Sequence, residues 1–236
     1  MAAALGFVKS IRKTPVLVRN REGFLVNRLF IPYLKEAFWL LEEGADAPAI
    51  DGAMVEFGFP MGPLTLIDMA GLDVLVLTDR VLSRAFPAHG PLSQVGVRLV
   101  ERGCLGQKSG SGVYRYEKGD RTPHPSAETA QVIAEVRQAA GRAPRAVGTD
   151  EITRRLVLRM VSEAFGVMEE GIAERESDID VATVLGIGFP DFRGGVLRYA
   201  RDLGPGNVLA DLEALAEEHG ARFSPCRLLR ATEGVR

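Results

Sequence analysis

The sequence predicts a mainly α-helical protein that consists of two homologous helical units in tandem. Two observations predict this fold class. Apolar residues recur at i and i+4 through most of the chain, and several motifs recur about 127 residues later. Glu36-Ala37-Phe38 returns as Glu163-Ala164-Phe165, and Glu42-Glu43-Gly44 returns as Glu169-Glu170-Gly171. Two helical units of one ancestry commonly pack about a pseudo-twofold axis, so we expect a pseudo-dimer.

The N-terminal segment predicts one helix and one strand. Residues 2–11 carry apolar side chains at loosely helical spacing, and residues 15–18 form a short run, Pro-Val-Leu-Val, before a turn. A strand must pair its backbone groups with a neighbouring strand, and no other convincing strand pattern precedes residues 112–116. We therefore expect the strand at residues 15–18 to lack a partner nearby.

The first unit predicts one long helix followed by several shorter ones. Apolar residues at i, i+4 spacing predict a helix over residues 24–43, which Gly44 ends as its C′ residue. The Gly58–Pro63 segment breaks the chain sharply. Further helices are expected over residues 51–56, 64–69, 74–84 and 93–101, and a glycine-rich loop at residues 106–112 closes the unit.

A composition shift toward Pro, Ala, Arg and Gly marks a linker between the units, with one helical stretch at residues 126–140. The second unit opens at Thr149-Asp150-Glu151, a cluster typical of a helix start, and predicts helices over residues 152–170, 195–202 and 207–219. The predicted domains are residues 1–20 (a helix and strand), 21–117 (first unit), 118–150 (linker) and 151–236 (second unit).

Composition excludes several classes of function. The chain has 29 basic and 31 acidic residues and no dense basic stripe, which argues against nucleic-acid binding. Cys104 and Cys226 are isolated and lie near no histidine cluster, so we expect neither a metal site nor a disulfide framework. The apolar N-terminal stretch is too short for a signal peptide or a membrane span, and we expect a cytoplasmic protein.

Asn27 is the polar residue that fails to recur, because Arg154 takes its place in the second copy. Both copies must fold, so a polar residue present in only one copy is a candidate for chemistry rather than packing. The structural alternative is an ordinary polar residue near a helix N-terminus, where a capping side chain is preferred. Asn27 is therefore the candidate catalytic residue.

Both units carry motifs of a known family. The first unit resembles the C-terminal helical domain of L-3-hydroxyacyl-CoA dehydrogenases, and the second is similar to the second helical domain of multifunctional fatty-acid oxidation enzymes. The motifs that carry the resemblance are Lys13–Val18, Gly23–Leu29, Glu42–Gly44, Ile50-Asp51, Phe57–Pro63, Asp68, Gly71–Asp73 and Gly106–Tyr114 in the first unit, and Glu169–Gly171, Asp178–Asp180, Gly188–Pro190, Phe192–Gly195 and Arg222–Pro225 in the second.

The resemblance implies a cofactor domain that these residues do not supply. In the family an N-terminal Rossmann domain binds NAD, and a histidine held by a glutamate takes the proton from the substrate. No Gly-x-Gly-x-x-Gly follows a strand here, and His89, His124 and His219 fall in predicted loops or at a helix end. We expect NAD for the complete enzyme and none bound by this chain alone. The strand at residues 15–18 corresponds to the family's last Rossmann strand.

The resemblance also implies the site residues and the function. Asn27 matches the family's active-site asparagine, whose amide orients the substrate's C3 oxygen or thioester carbonyl. Phe59, Met61 and Pro63 match the acyl-binding region, although a turn between packed helices also explains them. The implied function is the substrate-side and dimerisation part of an NAD-dependent 3-hydroxyacyl-CoA dehydrogenase in β-oxidation, which acts on 3-hydroxyacyl-CoA with a Rossmann-domain partner chain. A non-catalytic acyl-CoA-binding or assembly module is the alternative.

Three charged motifs are expected to be structural. Lys108 could attract a CoA phosphate, but a solvated turn is the simpler interpretation of its loop. The repeated pair Glu42-Glu43 could suggest paired carboxylates, yet adjacent helical residues point about 100° apart, which favours a solvated helix end. Arg193, beside two glycines, is expected to form structural hydrogen bonds.

Overall fold

A computed structural model describes residues 2–232, and this part of the chain contains twelve α-helices. Met1 and residues 233–236, which the predicted domain ranges include, lie outside the described residues. The helices are α1 (Ala2–Ser10), α2 (Val26–Glu43), α3 (Ala47–Phe57), α4 (Pro63–Ala70), α5 (Leu72–Ala85), α6 (Gln94–Glu101), α7 (Ala127–Ala139), α8 (Thr149–Glu169), α9 (Glu176–Ile187), α10 (Val196–Leu203), α11 (Pro205–His219) and α12 (Arg227–Ala231).

Several predicted helices begin at a different residue, and α9 and α12 were not predicted. Two of the shifted starts have a local cause. Helix α2 begins at Val26 because Gly23 and Phe24 both adopt left-handed φ angles, 77° and 49°, which are incompatible with a helix. Helix α3 begins before Asp51 because Pro48 lies within its first turn. A proline is favoured there, since its missing N–H would have no partner in any case. The helix therefore begins four residues before the predicted start.

The predicted strand at residues 15–18 does not form. Residues 13–20 have no regular secondary structure, and among residues 2–232 the only β-type pairing consists of isolated bridges near residues 106–124. A strand requires a neighbouring strand, and none of the described residues offers one. Val16 and Val18 instead pack against the core, and the Arg19 N–H donates to the Ile172 carbonyl at 2.8 Å. The segment therefore lies against the second copy.

The two copies pack through their longest helices, which confirms the predicted mainly α-helical pseudo-dimer. Helix α2 packs along α8, its counterpart in the second copy, and both bury most of their length. The neighbouring contacts are reciprocal, because α3 packs on α8 and α9 packs on α2. Helices α3, α4 and α5 of the first copy thus correspond to α9, α10 and α11 of the second.

Helix α7 lies in the predicted linker and belongs to the packed structure. Val132 and Val136 are buried where α7 contacts α2 and α6. Arg137 donates to the Leu41 and Glu42 carbonyls at the end of α2. These bonds satisfy carbonyls that have no partner within the helix. The segment is therefore held against the first copy, while the division of the chain into domains remains a prediction.

The described residues contain no helix that is both long and apolar enough to span a bilayer.

Candidate functional site

Asn27 lies in the first turn of α2, and its side chain is exposed. It forms no hydrogen bond with any residue that the structure describes, so it does not cap its own helix. The turn at Gly23 and Phe24 brings the chain abruptly into α2, since both residues have positive φ. The amide of Asn27 is therefore available to a ligand or to another protein surface.

The next residue, Arg28, fixes the first turn of α2 to the second copy. Its Nε donates to Glu163 Oε2 at 2.7 Å, and its Nη2 donates to Glu170 Oε1 at 2.9 Å. The guanidinium also lies over the Phe86 ring, 3.4 Å from the ring centre. Planar bidentate contacts of this kind hold a guanidinium in one orientation. The backbone that carries Asn27 is thus held by the second copy.

His89 joins the same buried group. Its Nε2 lies 2.9 Å from Glu163 Oε2, and its ring stacks on Phe86. Burial lowers the pKa of His89 although Glu163 opposes this. Burial alone would raise the pKa of Glu163, but Arg159, His89 and Arg28 outweigh it and lower the pKa. The pair resembles a His–Glu dyad, but both side chains are buried within this ion-pair cluster.

The second copy repeats this arrangement, with the arginine in the second copy and the carboxylates in the first. Arg155 donates to Glu36 Oε1 through Nε at 2.8 Å and to Glu43 Oε2 through Nη1 at 2.6 Å. The predicted solvated helix end is therefore wrong for Glu42 and Glu43, because both side chains lie against arginines and are mostly buried. The sequence did contain the signal: Arg28, Glu36 and Glu43 recur with the same offset of 127 residues.

Arg154, the counterpart of Asn27, forms an ion pair at the surface. Its Nη2 lies 2.7 Å from Asp211 Oδ1 and donates to the Asp211 carbonyl at 3.3 Å. Asp211 is on α11, and the corresponding residue of α5 is Thr78, whose hydroxyl donates to the Val74 carbonyl. The second copy thus places an ion pair where the first copy presents a polar amide and a hydroxyl.

Exposed apolar side chains cluster on the elements that flank Asn27. Phe24 precedes α2, α5 packs on α2, and Gly186 of α9 lies against Val26. We call the following residues the apolar rim: Phe24, Val74, Leu77, Val81, Val181 and Leu185, each between 39% and 67% exposed. Monomeric proteins rarely leave large exposed apolar areas uncovered.

The Arg154 side, which is related to the Asn27 side by the repeat, has no such rim. Two sets of matching residues give the alignment of the helices. Asp51 on α3 corresponds to Asp180 on α9, because each binds the start of the following helix. Gly71 before α5 corresponds to Gly204 before α11. The counterparts of the rim residues, in the same order, are Glu151, Asn207, Ala210, Ala214, Gly52 and Glu56. Every large apolar residue is thus replaced by a polar or small one. The apolar rim is a property of the Asn27 side alone.

The three predicted acyl-lining residues lie in different surroundings. Phe59 is buried among aromatic rings, with centroid distances of 5.8 Å to Tyr33 and 5.6 Å to Phe189. Pro63 is buried at the start of α4, whereas Met61 is half-buried. The Phe59 ring therefore packs against other side chains of the protein and is not exposed at a surface. The acyl-lining role of the three residues remains a prediction.

The glycine-rich loop after α6 is organised by a buried carboxylate. Asp68 accepts hydrogen bonds from the Val113 and Tyr114 N–H groups, each at 2.8 Å, and from the Tyr116 hydroxyl at 3.0 Å. Burial raises the pKa of Asp68 to about 6. Lys108 lies 2.5 Å from Asp73 and close to Gly71. Its ion pair is consistent with the predicted structural turn.

The described residues do not fit a dinucleotide. A Rossmann site places a glycine-rich turn between a parallel strand and a helix, so that backbone N–H groups face the pyrophosphate. Here the N–H groups of the glycine-rich loop bind Asp68, and no sheet stands beside it within residues 2–232. Nor do these residues contain a cluster of His, Cys, Asp or Glu that could hold a metal ion.

Comparison with protein families identifies one match, which covers both copies. Residues 23–116 and 152–232 match the model described as "3-hydroxyacyl-CoA dehydrogenase, C-terminal domain". The chain is 37% identical over 233 residues to the glyoxysomal fatty acid β-oxidation multifunctional protein MFP-a of Cucumis sativus, and 35% identical over 233 residues to the peroxisomal multifunctional protein AIM1 of Arabidopsis thaliana. It spans 32% of the length of each relative and 96% of its own.

Two solved structures share the fold over nearly the whole chain. The 3-hydroxybutyryl-CoA dehydrogenase of Escherichia coli gives a TM-score of 0.79 at 27% identity, covering 98% of this chain and 64% of that one. The dehydrogenase part of multifunctional enzyme 1 from C. elegans gives 0.69 at 25% identity, covering 98% and 52%. Both copies thus align within a single chain of each structure.

The relatives contradict the predicted cytoplasmic location. Their names place them in glyoxysomes or peroxisomes. The prediction relied on isolated cysteines and on the lack of an apolar leader, and neither feature separates the cytoplasm from these organelles. The prediction is therefore wrong.

Proposed function

The chain belongs to the family of 3-hydroxyacyl-CoA dehydrogenase C-terminal domains, and from this premise we propose that it forms the substrate-side part of an NAD-dependent 3-hydroxyacyl-CoA dehydrogenase of fatty-acid β-oxidation. The dinucleotide-binding domain would come from residues outside these 236. In this proposal the functional surface is the Asn27 side, which is formed by α2 and α5 of the first copy and α9 of the second. The second copy takes the place of a dimer partner.

The observation that carries the proposal is the asymmetry of the apolar rim. Large apolar residues surround Asn27, and their counterparts around Arg154 are polar or small. Packing within the chain does not explain this difference, because the rim residues are exposed. A surface that docks a cofactor domain, with an acyl chain between the two, requires apolar area on the Asn27 side only.

Asn27 would position the substrate within that interface. An asparagine amide both donates and accepts, so it is suited to orient a hydroxyl or carbonyl oxygen without adding charge. Arg28 and its carboxylates would keep the first turn of α2 in place. The proton acceptor and the hydride acceptor would both belong to the docked domain. Met61, the half-buried member of the predicted acyl-lining group, would be the one most accessible to substrate.

The test is reconstitution with a cofactor domain. A candidate is the part of the E. coli 3-hydroxybutyryl-CoA dehydrogenase that lies outside the region matched by this chain. We would mix it with the purified chain, acetoacetyl-CoA and NADH, and follow NADH oxidation. We expect activity only in the mixture. Asn27→Ala should lower kcat/KM, and the loss should correspond to about 2 kcal/mol or more of transition-state stabilisation, as expected when one orienting polar contact is removed.

A matched pair of variants tests the docking surface. Leu185→Glu introduces on α9 the residue that α3 carries at the counterpart position, Glu56. This variant should abolish NADH oxidation in the mixture and co-elution of the chain with the cofactor domain. Glu56→Gln changes the Arg154 side of the molecule and should leave both unchanged. If no mixture oxidises NADH while the chain alone binds acyl-CoA, the proposal fails and a non-catalytic acyl-CoA-binding module takes its place.

A further inference from the structure

A second polar residue occurs in only one copy. His219 ends α11, and the corresponding position after α5 is occupied by Phe86. In the first copy, Phe86 fills a place between two guanidinium groups, since Arg28 and Arg21 lie 3.4 Å and 4.9 Å from its ring centre. An aromatic hydrocarbon therefore satisfies the packing at this position. The imidazole in the second copy is not required by packing.

The imidazole of His219 is buried without a hydrogen-bond partner. Its side chain is 7% exposed, and Nε2 forms no hydrogen bond with the described residues. The nearest carboxylate oxygens are Glu218 Oε1, 3.7 Å from Nε2, and Glu43 Oε1, 3.9 Å from Nδ1. Both distances exceed hydrogen-bond length. A buried polar group without a partner is costly, which indicates that it binds something else.

His219 lines a cavity of about 440 Å³ together with three arginines, each of which is also paired with a carboxylate. Arg142, Arg145 and Arg222 line it together with Trp39, and the guanidinium carbons of Arg142 and Arg222 each lie 5.4 Å from the Trp39 ring centre. Two acids also line the cavity. Glu43 is already bound by Arg145, while Glu218 is largely exposed.

The arginines retain unused donors. Arg142 donates to Glu42 through Nη1 alone, and Arg145 donates through Nη1 and Nη2 to Glu43 and Glu151. Within the described residues, Nε and Nη2 of Arg142 and Nε of Arg145 therefore have no acceptor. Together with His219 Nε2, these donors belong to three different side chains. Such a set is suited to an anion with several oxygens, because each donor can bind a different oxygen.

We propose that this cavity binds a phosphate group, with His219 and Arg142 donating to its oxygens and Arg145 supplying further charge. A carboxylate has only two oxygens, whereas phosphate has enough to use every unpaired donor and carries more charge. The source is either inorganic phosphate or a phosphate monoester. Trp39 lies 12 residues after Asn27 on α2, or ~18 Å along the helix, so this site is separate from the proposed dehydrogenase surface.

The surroundings of His219 shift the pKa of its imidazole. Burial, and then the nearby Arg155, lowers the pKa of His219, although Glu43, Glu218 and Glu36 act in the opposite direction. The free imidazole is thus neutral near neutral pH. A bound phosphate would add negative charge beside Nε2 and raise this pKa.

NMR of the histidine side chains tests the proposal, because the chain contains three histidines. Sodium phosphate would be titrated into the chain at constant ionic strength against sodium chloride. We expect a saturable shift of the His219 resonances and a rise in the pKa of His219. His219→Phe, which introduces the residue type of the first copy, should weaken phosphate binding at least tenfold by calorimetry. His124→Gln, at a site outside the cavity, should leave it unchanged.

Two further comparisons identify the ligand and the role of charge. Glu218→Gln removes the carboxylate nearest Nε2 and should strengthen phosphate binding. AMP and adenosine separate the sources: tighter binding of AMP than of phosphate indicates a monoester, and equal binding indicates inorganic phosphate. The proposal is overturned if chloride produces the same shift, if His219→Phe binds phosphate as well as the wild type, or if adenosine binds as well as AMP.

Discussion

Arg28 and Arg155 each bind two carboxylates of the opposite copy. These reciprocal ion pairs are the most extensive polar contacts between the two long helices. Each guanidinium is buried and lies on a helix that packs against the helix of its partners. A buried ion pair contributes little when compared with an apolar pair of the same shape, yet removal of one partner leaves a buried charge without compensation. The two copies are therefore sensitive to single substitutions here.

Arg155→Met tests this sensitivity. Glu36 would lose its bonds to Arg155 and keep only Arg222, so we expect a loss of about 3–5 kcal/mol in the free energy of unfolding. Adding Glu36→Gln should recover part of the loss, because the unpaired charge is removed. Urea denaturation measures both. Arg198→Met, at an exposed pair with Asp202, is the control and should cost less than about 1 kcal/mol. A loss in Arg155→Met no larger than the control would contradict the prediction.

The pH dependence of stability should report Glu43. Burial opposes ionisation, but hydrogen bonds from Arg155 and Arg145 lower the pKa of Glu43 from 4.5 to about 2. A lowered folded-state pKa gives stability that is present above the ordinary value and lost as pH falls from 4.5 towards 2. The shift corresponds to about 3 kcal/mol. The stability difference between wild type and Glu43→Gln should therefore be largest near neutral pH and shrink through this window in urea titrations. A pH-independent difference would exclude this assignment.

At the residue scale, the sequence analysis identified Asn27 as a candidate but wrongly predicted that Glu42 and Glu43 are solvated. Asn27 was found because it breaks the repeat. The glutamates were assigned to solvent because their partners, Arg142 of the linker and Arg155 of the second copy, are more than 90 residues away. Helical spacing describes the neighbours of a residue on its own helix and does not identify the helix that covers it.

At the scale of elements, each copy uses one aspartate to bind the start of a neighbouring helix. Asp51 accepts from the Leu64 and Thr65 N–H groups of α4, and Asp180 accepts from the Leu197 and Arg198 N–H groups of α10. A Cβ on the preceding glycine, Gly62 or Gly195, would overlap the aspartate. The aspartate and the glycine are thus required together, which explains why both recur.

Alanine at the two aspartates should have unequal effects. Asp180→Ala removes two backbone bonds at a helix start and should cost about 1–2 kcal/mol. Asp51→Ala also removes the bonds from the Thr65 and Tyr114 hydroxyls and leaves the Tyr114 hydroxyl without that partner, so it should cost about 3 kcal/mol or more. Thermal and urea unfolding of the two variants would measure the difference. Equal losses would contradict the role given to Tyr114.

Elements with their own amphipathic pattern were predicted well, and those that depend on distant partners were not. The long helices α2 and α8 follow from apolar spacing and glycine ends. The strand at residues 15–18 failed because strand formation depends on a neighbouring strand that the pattern itself does not supply. The short α12, with five residues, was not predicted, because one turn of helix has almost no periodicity to detect.

At the scale of the whole molecule, the fold is symmetric and the surface is not. The repeat predicted the pseudo-dimer because two copies of one core must bury equivalent faces. The site could be predicted only in part, since Asn27 matches the family motif, while the cavity that we propose binds phosphate depends on Trp39, Arg142 and His219, which are distant in sequence. Their proximity follows from packing between the copies and has no local sequence signal.

The same packing leads us to expect one cooperative unfolding transition. Helices α2 and α8 form the most extensive contact between any two elements of the described residues, and Arg28 and Arg155 cross this contact in both directions. Either copy alone would expose this area together with unpaired charges, so neither should be stable without the other. Amides of α2 and α8 should therefore exchange through global unfolding with equal free energies in native-state hydrogen exchange. Residues 149–232 expressed alone should lack cooperative unfolding, and a sharp thermal transition of that fragment would refute the expectation.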